Sequence, residues 1–231
     1  MVSIFEQKQT ERDIELANFY GLSLARVCTL PVLAKESICV FKNEDVVLPS
    51  YDFLYTNYQY MNVVHYIRTL SFTTLQRAPY ILAMEKALGG LANKRVLDYG
   101  CGVGSHGIYC LQKGAVVTFL DVDGPLYNFA KHRINKRKLT ANYLYPTSKL
   151  EPKSYDAVIC LDVLEHIVNP IAAITNIVNS LKNKGVLCLE VSLNIKPTSG
   201  HFTQSISAWK QGHAAVMNQF INIELYIYRK K

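Results

Sequence analysis

The stretch Val96-Leu97-Asp98-Tyr99-Gly100-Cys101-Gly102-Val103-Gly104 constrains this chain more than any other. An apolar run sized for one strand leads straight into three alternate glycines, and a helical pattern follows. Glycine lets a backbone turn sharply and approach a ligand with no Cβ in the way. In a doubly wound sheet the first strand–helix turn lies at the crevice where the strand order reverses, and ligands bind there. The pattern announces a site for a nucleotide-type cofactor.

The surrounding sequence supplies the sheet that such a turn needs. From about Arg95 to Ser192, short apolar runs alternate with helical patterns, as in a mostly parallel α/β sheet. Val116–Leu120, Tyr155–Leu161 and Gly185–Val191 are almost continuously apolar, which predicts strands covered on both faces. Asn169 followed by Pro170 predicts a helix N-cap and first-turn proline, and Asn183-Lys184-Gly185 predicts the end of that helix. Asp123-Gly124-Pro125 reads as another helix entry.

Residues 1–94 have a different texture. Thr10-Glu11-Arg12-Asp13 predicts a capping box for a helix reaching about Val27. Ser37–Leu48 reads as two short strands around a polar turn, and a tyrosine-rich stretch carries Tyr51, Tyr55, Tyr58, Tyr60 and Tyr66. A helix through Tyr80–Leu88 stops at Gly89-Gly90. The expected organisation is a mainly helical cap or lid over residues 1–94, followed by a cofactor-binding domain over residues 95–231.

Composition narrows the setting. A chain of 231 residues with 49% hydrophobic and 19% charged residues describes one globular core with a small addition. The net charge of +7 concentrates at Lys131, Arg133, Lys136, Arg137 and Lys138, and again at Arg229, Lys230 and Lys231. A solvated helix face and tail is the simpler reading of these clusters; a grip on phosphates is the sharper one. The six cysteines, at 28, 39, 101, 110, 160 and 188, have no metal-ligand spacing and fit a reduced, cytoplasmic setting, with no metal expected. Met1–Arg12 is polar, without a signal-peptide core, and no apolar run approaches the ~18 residues that a membrane span needs. No membrane association is expected.

The glycine spacing alone leaves the cofactor open. Counted from Gly100 a dinucleotide fingerprint fails at Ser105; counted from Gly102 it fits through Gly104 and Gly107. With the extra leading glycine, and with Asp98 two residues before it, the segment resembles the first motif of the class I S-adenosylmethionine-dependent methyltransferases. Three further segments match in order. Val117-Thr118-Phe119-Leu120-Asp121 resembles their second strand, whose terminal acid binds ribose hydroxyls, and Asp121 follows Gly102 by close to the ~20 residues required. Tyr155–His166 resembles their fourth strand with its Leu-Glu-His segment, and Gly185–Glu190 their fifth.

The resemblance implies a Rossmann-like domain. It implies S-adenosyl-L-methionine as cofactor and S-adenosyl-L-homocysteine as product, bound around Asp98, Gly100, Cys101, Gly102, Gly104, Asp121, Val122, Leu161 and Asp162. A carboxylate at Asp121 suits two ribose hydroxyl donors, and the methionine ammonium suits the strand end near Asp98 and Gly100. The acid that many members carry after the third strand is missing from Leu144-Tyr145-Pro146-Thr147-Ser148, so adenine recognition falls to backbone groups, Thr147 or Ser148.

Methyl transfer from a sulfonium is an in-line displacement, and an O- or N-nucleophile also needs a base within reach. His166 and His201 are the candidates, and Tyr58, Tyr66, Phe202 and Trp209 are candidates for lining an acceptor pocket. No Asn/Asp-Pro-Pro-Tyr follows the fourth strand and no Pro-Cys dipeptide occurs. Their absence, with that of a double-glutamate loop, argues against the subclasses that methylate exocyclic adenine amines or glutamine amides, pyrimidines and arginines. The expected activity is methyl transfer to an O, N or C atom of a small organic acceptor, in cofactor, quinone or secondary-metabolite biosynthesis. The rivals are an RNA methyltransferase using the Lys131–Lys138 patch and a non-catalytic methyltransferase-like subunit. Phe220–Lys231 is short for two full strands, which predicts a trimmed sheet or one completed by a second copy in a homodimer.

Overall fold

A computed structural model describes residues 9–28, 77–193 and 203–231. The first described segment holds helices α1 (Gln9–Tyr20) and α2 (Leu24–Cys28). Helix α3 (Ala78–Leu88) leads into β1 (Arg95–Tyr99), α4 (Ser105–Gln112), β2 (Val116–Leu120), α5 (Pro125–Lys136) and β3 (Asn142–Leu144). Then come β4 (Tyr155–Leu161), a 3-10 turn over Leu164–His166, α6 (Pro170–Ser180), β5 (Leu181–Glu190), α7 (Thr203–Met217), β6 (Phe220–Glu224) and β7 (Ile227–Lys230). The seven strands run in the order β3-β2-β1-β4-β5-β7-β6, parallel from β3 through β5, with the β6–β7 hairpin antiparallel. Strand order reverses between β1 and β4, so the turn after β1 sits where a doubly wound sheet binds ligands.

Side-chain alternation sorts the core into two layers. Val96, Val117, Phe119, Ala157, Ile159, Val186 and Cys188 face α3, α4 and α5. Leu97, Leu120, Val158, Cys160, Leu187 and Leu189 face α6 and α7. Asp98 has the parity of Val96, so it points beneath α4. Both faces are covered, which is why these strands read as continuous apolar runs.

Two strands and two helix ends lie close to expectation. β2 and β4 have the predicted bounds, Asn169 caps α6 by accepting the Ala172 N–H at 3.1 Å, and α3 stops at Gly89 in a left-handed conformation. Elsewhere the structure corrects the sequence reading. The amino-terminal helix already runs at Gln9, so Thr10 is not its cap, and Gly21 at φ 65° breaks it into α1 and α2 before Val27. Helix α6 ends at Ser180, because Asn183-Lys184-Gly185 lies inside β5, where the pairing with β4 shifts register between Tyr155 and Ala157. The carboxyl-terminal segment forms a complete hairpin, since five and four residues suffice when the loop is only Leu225-Tyr226. The predicted strands of Ser37–Leu48 and the tyrosine-rich stretch lie outside the described residues.

The basic tail is built into the fold and is not a free solvated end. The Arg229 guanidinium donates to the Ala87 carbonyl at the end of α3, at 2.7 Å. Lys230 Nζ donates to Val178 and Leu181 carbonyls at the end of α6, and Lys231 Nζ to the Asn218 carbonyl just past α7. Each cation meets carbonyls at or just past a helix end, where positive charge is favoured.

Asn169→Ala removes the acceptor for the Ala172 N–H and is expected to lower stability by about 1 kcal/mol, with Asn169→Asp close to the native value. Urea denaturation followed by circular dichroism measures both.

Candidate functional site

Three side chains hold the turn after β1 from three directions. From below, Asp98 is 2% exposed and its Oδ2 accepts the Gly107 N–H at 2.8 Å. This contact needs a glycine in α4, because a Cβ on Gly107 would stand 2.3 Å from the Phe119 ring and 2.8 Å from the Asp98 carboxylate. From the β2 side, Asp121 Oδ2 accepts the Gly102 N–H at 2.6 Å while Oδ1 accepts the Val122 N–H at 2.7 Å. From α5, the Arg133 guanidinium donates to the Val103 carbonyl and to Ser105 Oγ.

Gly102 adopts φ 53°, a left-handed conformation, and among the described residues nothing lies within 4 Å of the place where its Cβ would stand. Gly100 is backed by Val163, whose methyl carbons would be 2.4 and 2.6 Å from an added Cβ. The turn thus rests against the exit of β4, with an open strip of backbone along Gly102. Cys101 is 7% exposed and faces the core, where burial pushes its thiol well above the usual range.

Electrostatics at the strand ends are set by burial. It pushes the Asp98 carboxyl up to about 7, against the Gly107 N–H, which pulls it down. It raises Asp121 to about 6, against the N–H groups of Gly102 and Val122. Glu165 is fully buried; its Oε1 accepts the Ser192 N–H at 2.9 Å and burial raises it to about 7. Its Oε2 has no hydrogen-bond partner among the described residues.

At the ends of β4 and β5, Arg77 ties two carboxylates together. Its guanidinium lies 2.6 Å from Asp162 Oδ2 and 2.9 Å from Glu190 Oε2. Asp162 takes φ 55°, a strained conformation for a non-glycine residue, and its side chain remains 40% exposed. Leu161 pairs with Glu190 as the last residue of β4, and half-buried His166 closes the 3-10 turn beyond it.

The predicted cofactor residues therefore converge. Asp98, Gly100, Cys101, Gly102, Gly104, Asp121 and Val122 form one turn and its supports, and Leu161 and Asp162 lie across the crevice at the end of β4. Trp209 does not line it visibly: it is 7% exposed in the core layer under α6 and α7, stacked on His213 at 5.4 Å. Packing accounts for it without a ligand. His201, Phe202, Tyr58 and Tyr66 lie outside the described residues. Ser148 Oγ accepts the Tyr145 N–H in its own tight turn. Arg77 escaped the sequence reading; Arg133 entered it only as part of the basic cluster, and Glu165 only as a carboxylate inside the Leu-Glu-His segment.

A family model described as "Methyltransferase domain" matches residues 55–224, well over half of the chain. The chain belongs to this methyltransferase family. Among curated relatives, the ubiquinone biosynthesis O-methyltransferase of Nitrosomonas europaea is 30% identical over 123 residues, 50% of this chain and 51% of the relative. The enzyme of the same name from Dechloromonas aromatica is 35% identical over 116 residues, covering 47% and 48%. The chain spans about half the length of the curated relatives it matches. In architecture it is similar to a Pyrococcus horikoshii OT3 protein, with a TM-score of 0.52 at 14% identity over 71% of this chain and 93% of the other. It is also similar to the YcgJ protein of Bacillus subtilis, with a TM-score of 0.50 at 18% identity over 62% and 68%.

S-adenosylmethionine fits the methyltransferase turn. Among the described residues the backbone at Gly102 leaves open the space that a Cβ would fill, and Asp121 beside it is the group that would accept from the ribose hydroxyls.

A raised acid pKa in the native state means that the fold holds a proton the unfolded chain has released. Stability from Asp98 is therefore present at low pH and lost as pH rises from its ordinary 3.8 through about 7. Asp98→Asn keeps an acceptor for the Gly107 N–H and removes this titration. In cofactor-free protein, the melting temperature of the variant relative to the native chain is expected to rise steadily between about pH 4 and about pH 8. A flat difference across that range contradicts the assignment.

Proposed function

We propose that the chain transfers a methyl group from S-adenosylmethionine to a hydroxyl oxygen of a small organic acceptor. The observation that carries the reading is the Asp121–Gly102 hydrogen bond, which holds an anionic acceptor against the open edge of the glycine turn. The choice of oxygen, and of an acceptor resembling a quinone precursor, is supported by relatives named ubiquinone biosynthesis O-methyltransferases.

When bound, the cofactor supplies a methyl group already activated on a sulfonium. The chain's own work is then alignment and proton removal. Asp121 holds the nucleoside end, with Gly100, Gly102 and Gly104 running beside it. Asp162 and Glu190, oriented by Arg77, present acceptor oxygens at the ends of β4 and β5 toward the ammonium or the acceptor. His166 takes the proton of the acceptor hydroxyl, imidazole being the side chain that most often serves as a general base.

The basic clusters do not favour a polynucleotide. Arg133 and Arg137 are paired with Glu15, and Lys131 lies 4.2 Å from the centre of the Tyr127 ring and bonds the Tyr145 hydroxyl. Arg229, Lys230 and Lys231 cap helix ends. Cys101, Cys110, Cys160 and Cys188 are free thiols in the core, which supports a reducing compartment. No helix among the described residues is long and apolar enough to cross a membrane.

Two substitutions test the reading. Asp121→Ala is expected to weaken S-adenosylhomocysteine binding by roughly tenfold or more, as removing a charged hydrogen-bond partner costs about 1.5–3 kcal/mol. Calorimetric titration measures it, and unchanged affinity contradicts the site. His166→Ala is expected to lower kcat toward a phenolic acceptor by about 10²- to 10⁴-fold with cofactor affinity retained. A variant as fast as the native chain removes His166 from the chemistry.

A further inference from the structure

Helix α1 belongs to the sequence region expected to form a lid, yet it docks behind the glycine turn. Leu16 and Ala17 of α1 and Val27 of α2 share a core cluster with Leu126 and Phe129 of α5 and with Val103, which lies between Gly102 and Gly104 in the turn. Val103 is 1% exposed. Phe19 adds ring contacts to Phe129 at 5.4 Å and to His132 at 5.1 Å.

A buried ionic contact crosses the same junction. Glu15 is 5% exposed and Arg133 is 3% exposed. Arg133 Nε donates to Glu15 Oε2 at 3.1 Å, and Arg137 donates to the other carboxylate oxygen at 2.5 Å. Burial raises the Glu15 carboxyl, but the guanidiniums of Arg133 and Arg137 outweigh it and hold the group below its usual value. The second arm of Arg133 reaches the Val103 carbonyl at 2.5 Å and Ser105 Oγ at 3.0 Å. One guanidinium therefore joins α1 to the backbone of the turn. A buried charge left without its partner is costly, so each end of this contact helps to hold the other in place.

We propose that Glu15 and Arg133 are positioning residues that couple docking of α1 to the cofactor turn, so that the amino-terminal helix underpins cofactor binding from behind. Val103 is pinned twice, by its side chain in the α1 cluster and by its carbonyl on Arg133. Its neighbour Gly102 carries the N–H that Asp121 accepts and the open edge beside the ligand. A change in the hold on Val103 is thus transmitted across one peptide to the cradle. Coupling between two sites is reciprocal, so the ligand must also tighten α1. The inference rests on the assignment of the turn to S-adenosylmethionine and not on the identity of the acceptor.

The test compares the native chain with Arg133→Met and Glu15→Gln. S-adenosylhomocysteine affinity is measured by calorimetry well below each melting temperature, and hydrogen exchange over residues 13–20 is followed with and without the ligand. Saturating S-adenosylhomocysteine is expected to slow exchange of α1 in the native chain by about fivefold or more. Arg133→Met is expected to bind the ligand about tenfold more weakly and to raise KM for S-adenosylmethionine with little change in kcat. Glu15→Gln, which leaves Arg133 on the Val103 carbonyl, is expected to show a smaller loss and a weaker exchange response. A purely structural ion pair would lower the melting temperature of the variants and leave ligand affinity alone, and that result overturns the proposal. So does native α1 exchange that ignores the ligand. Should Arg133→Met fail to fold, Glu15→Gln and the native exchange data decide. A native chain that binds no S-adenosylhomocysteine removes the cofactor assignment itself, and the coupling with it.

Discussion

The site depends on how closely α4 can approach the end of β1. Gly107 makes that approach, with the Phe119 ring where its Cβ would be, and so brings a helix N–H onto the buried Asp98 carboxylate. Without that bond, Asp98 would be a buried acid with no backbone N–H among the described residues to offset its desolvation. With it, the turn has a polar floor. The left-handed glycines can then leave their upper edge to a ligand while Asp121 and Arg133 hold the rim.

The sheet was legible because its strands are covered on both faces. Val116–Leu120 and Tyr155–Leu161 show no alternation, so their bounds follow from where apolar residues stop. Asn169-Pro170 and Gly89 were legible for another reason: an N-cap and a left-handed C-cap each draw on residue types with specific backbone roles. The helix end misplaced at Asn183-Lys184-Gly185 shows the limit. A turn-like triplet also marks an irregular register between paired strands, as here between β4 and β5.

The glycine turn and the carboxylates that hold it were readable, and the long-range ion pairs around them were not. Asp98, Gly102 and Asp121 act within or beside one strand–turn–helix unit, so their spacing along the chain carries their geometry. Arg77 joins residues 85 and 113 positions away, and Arg133 reaches Glu15 over 118 positions. No local pattern announces such pairs. The basic tail misled in the same way, because a run of cations looks solvated until three helix ends are folded onto it. Trp209 did so too, since an aromatic residue in a helix looks the same in sequence whether it lines a pocket or fills a core.

The central claim is that the strip beside Gly102 holds the nucleoside of S-adenosylmethionine with its ribose on Asp121. A crystal structure of the chain with S-adenosylhomocysteine tests this most directly. The account predicts ligand density along Gly100–Gly104, with the ribose hydroxyls within hydrogen-bond distance of the Asp121 carboxylate and the floor formed by Asp98 and Gly107 undisturbed. Ligand density elsewhere on the sheet, or a ribose that leaves Asp121 uncontacted, would contradict it.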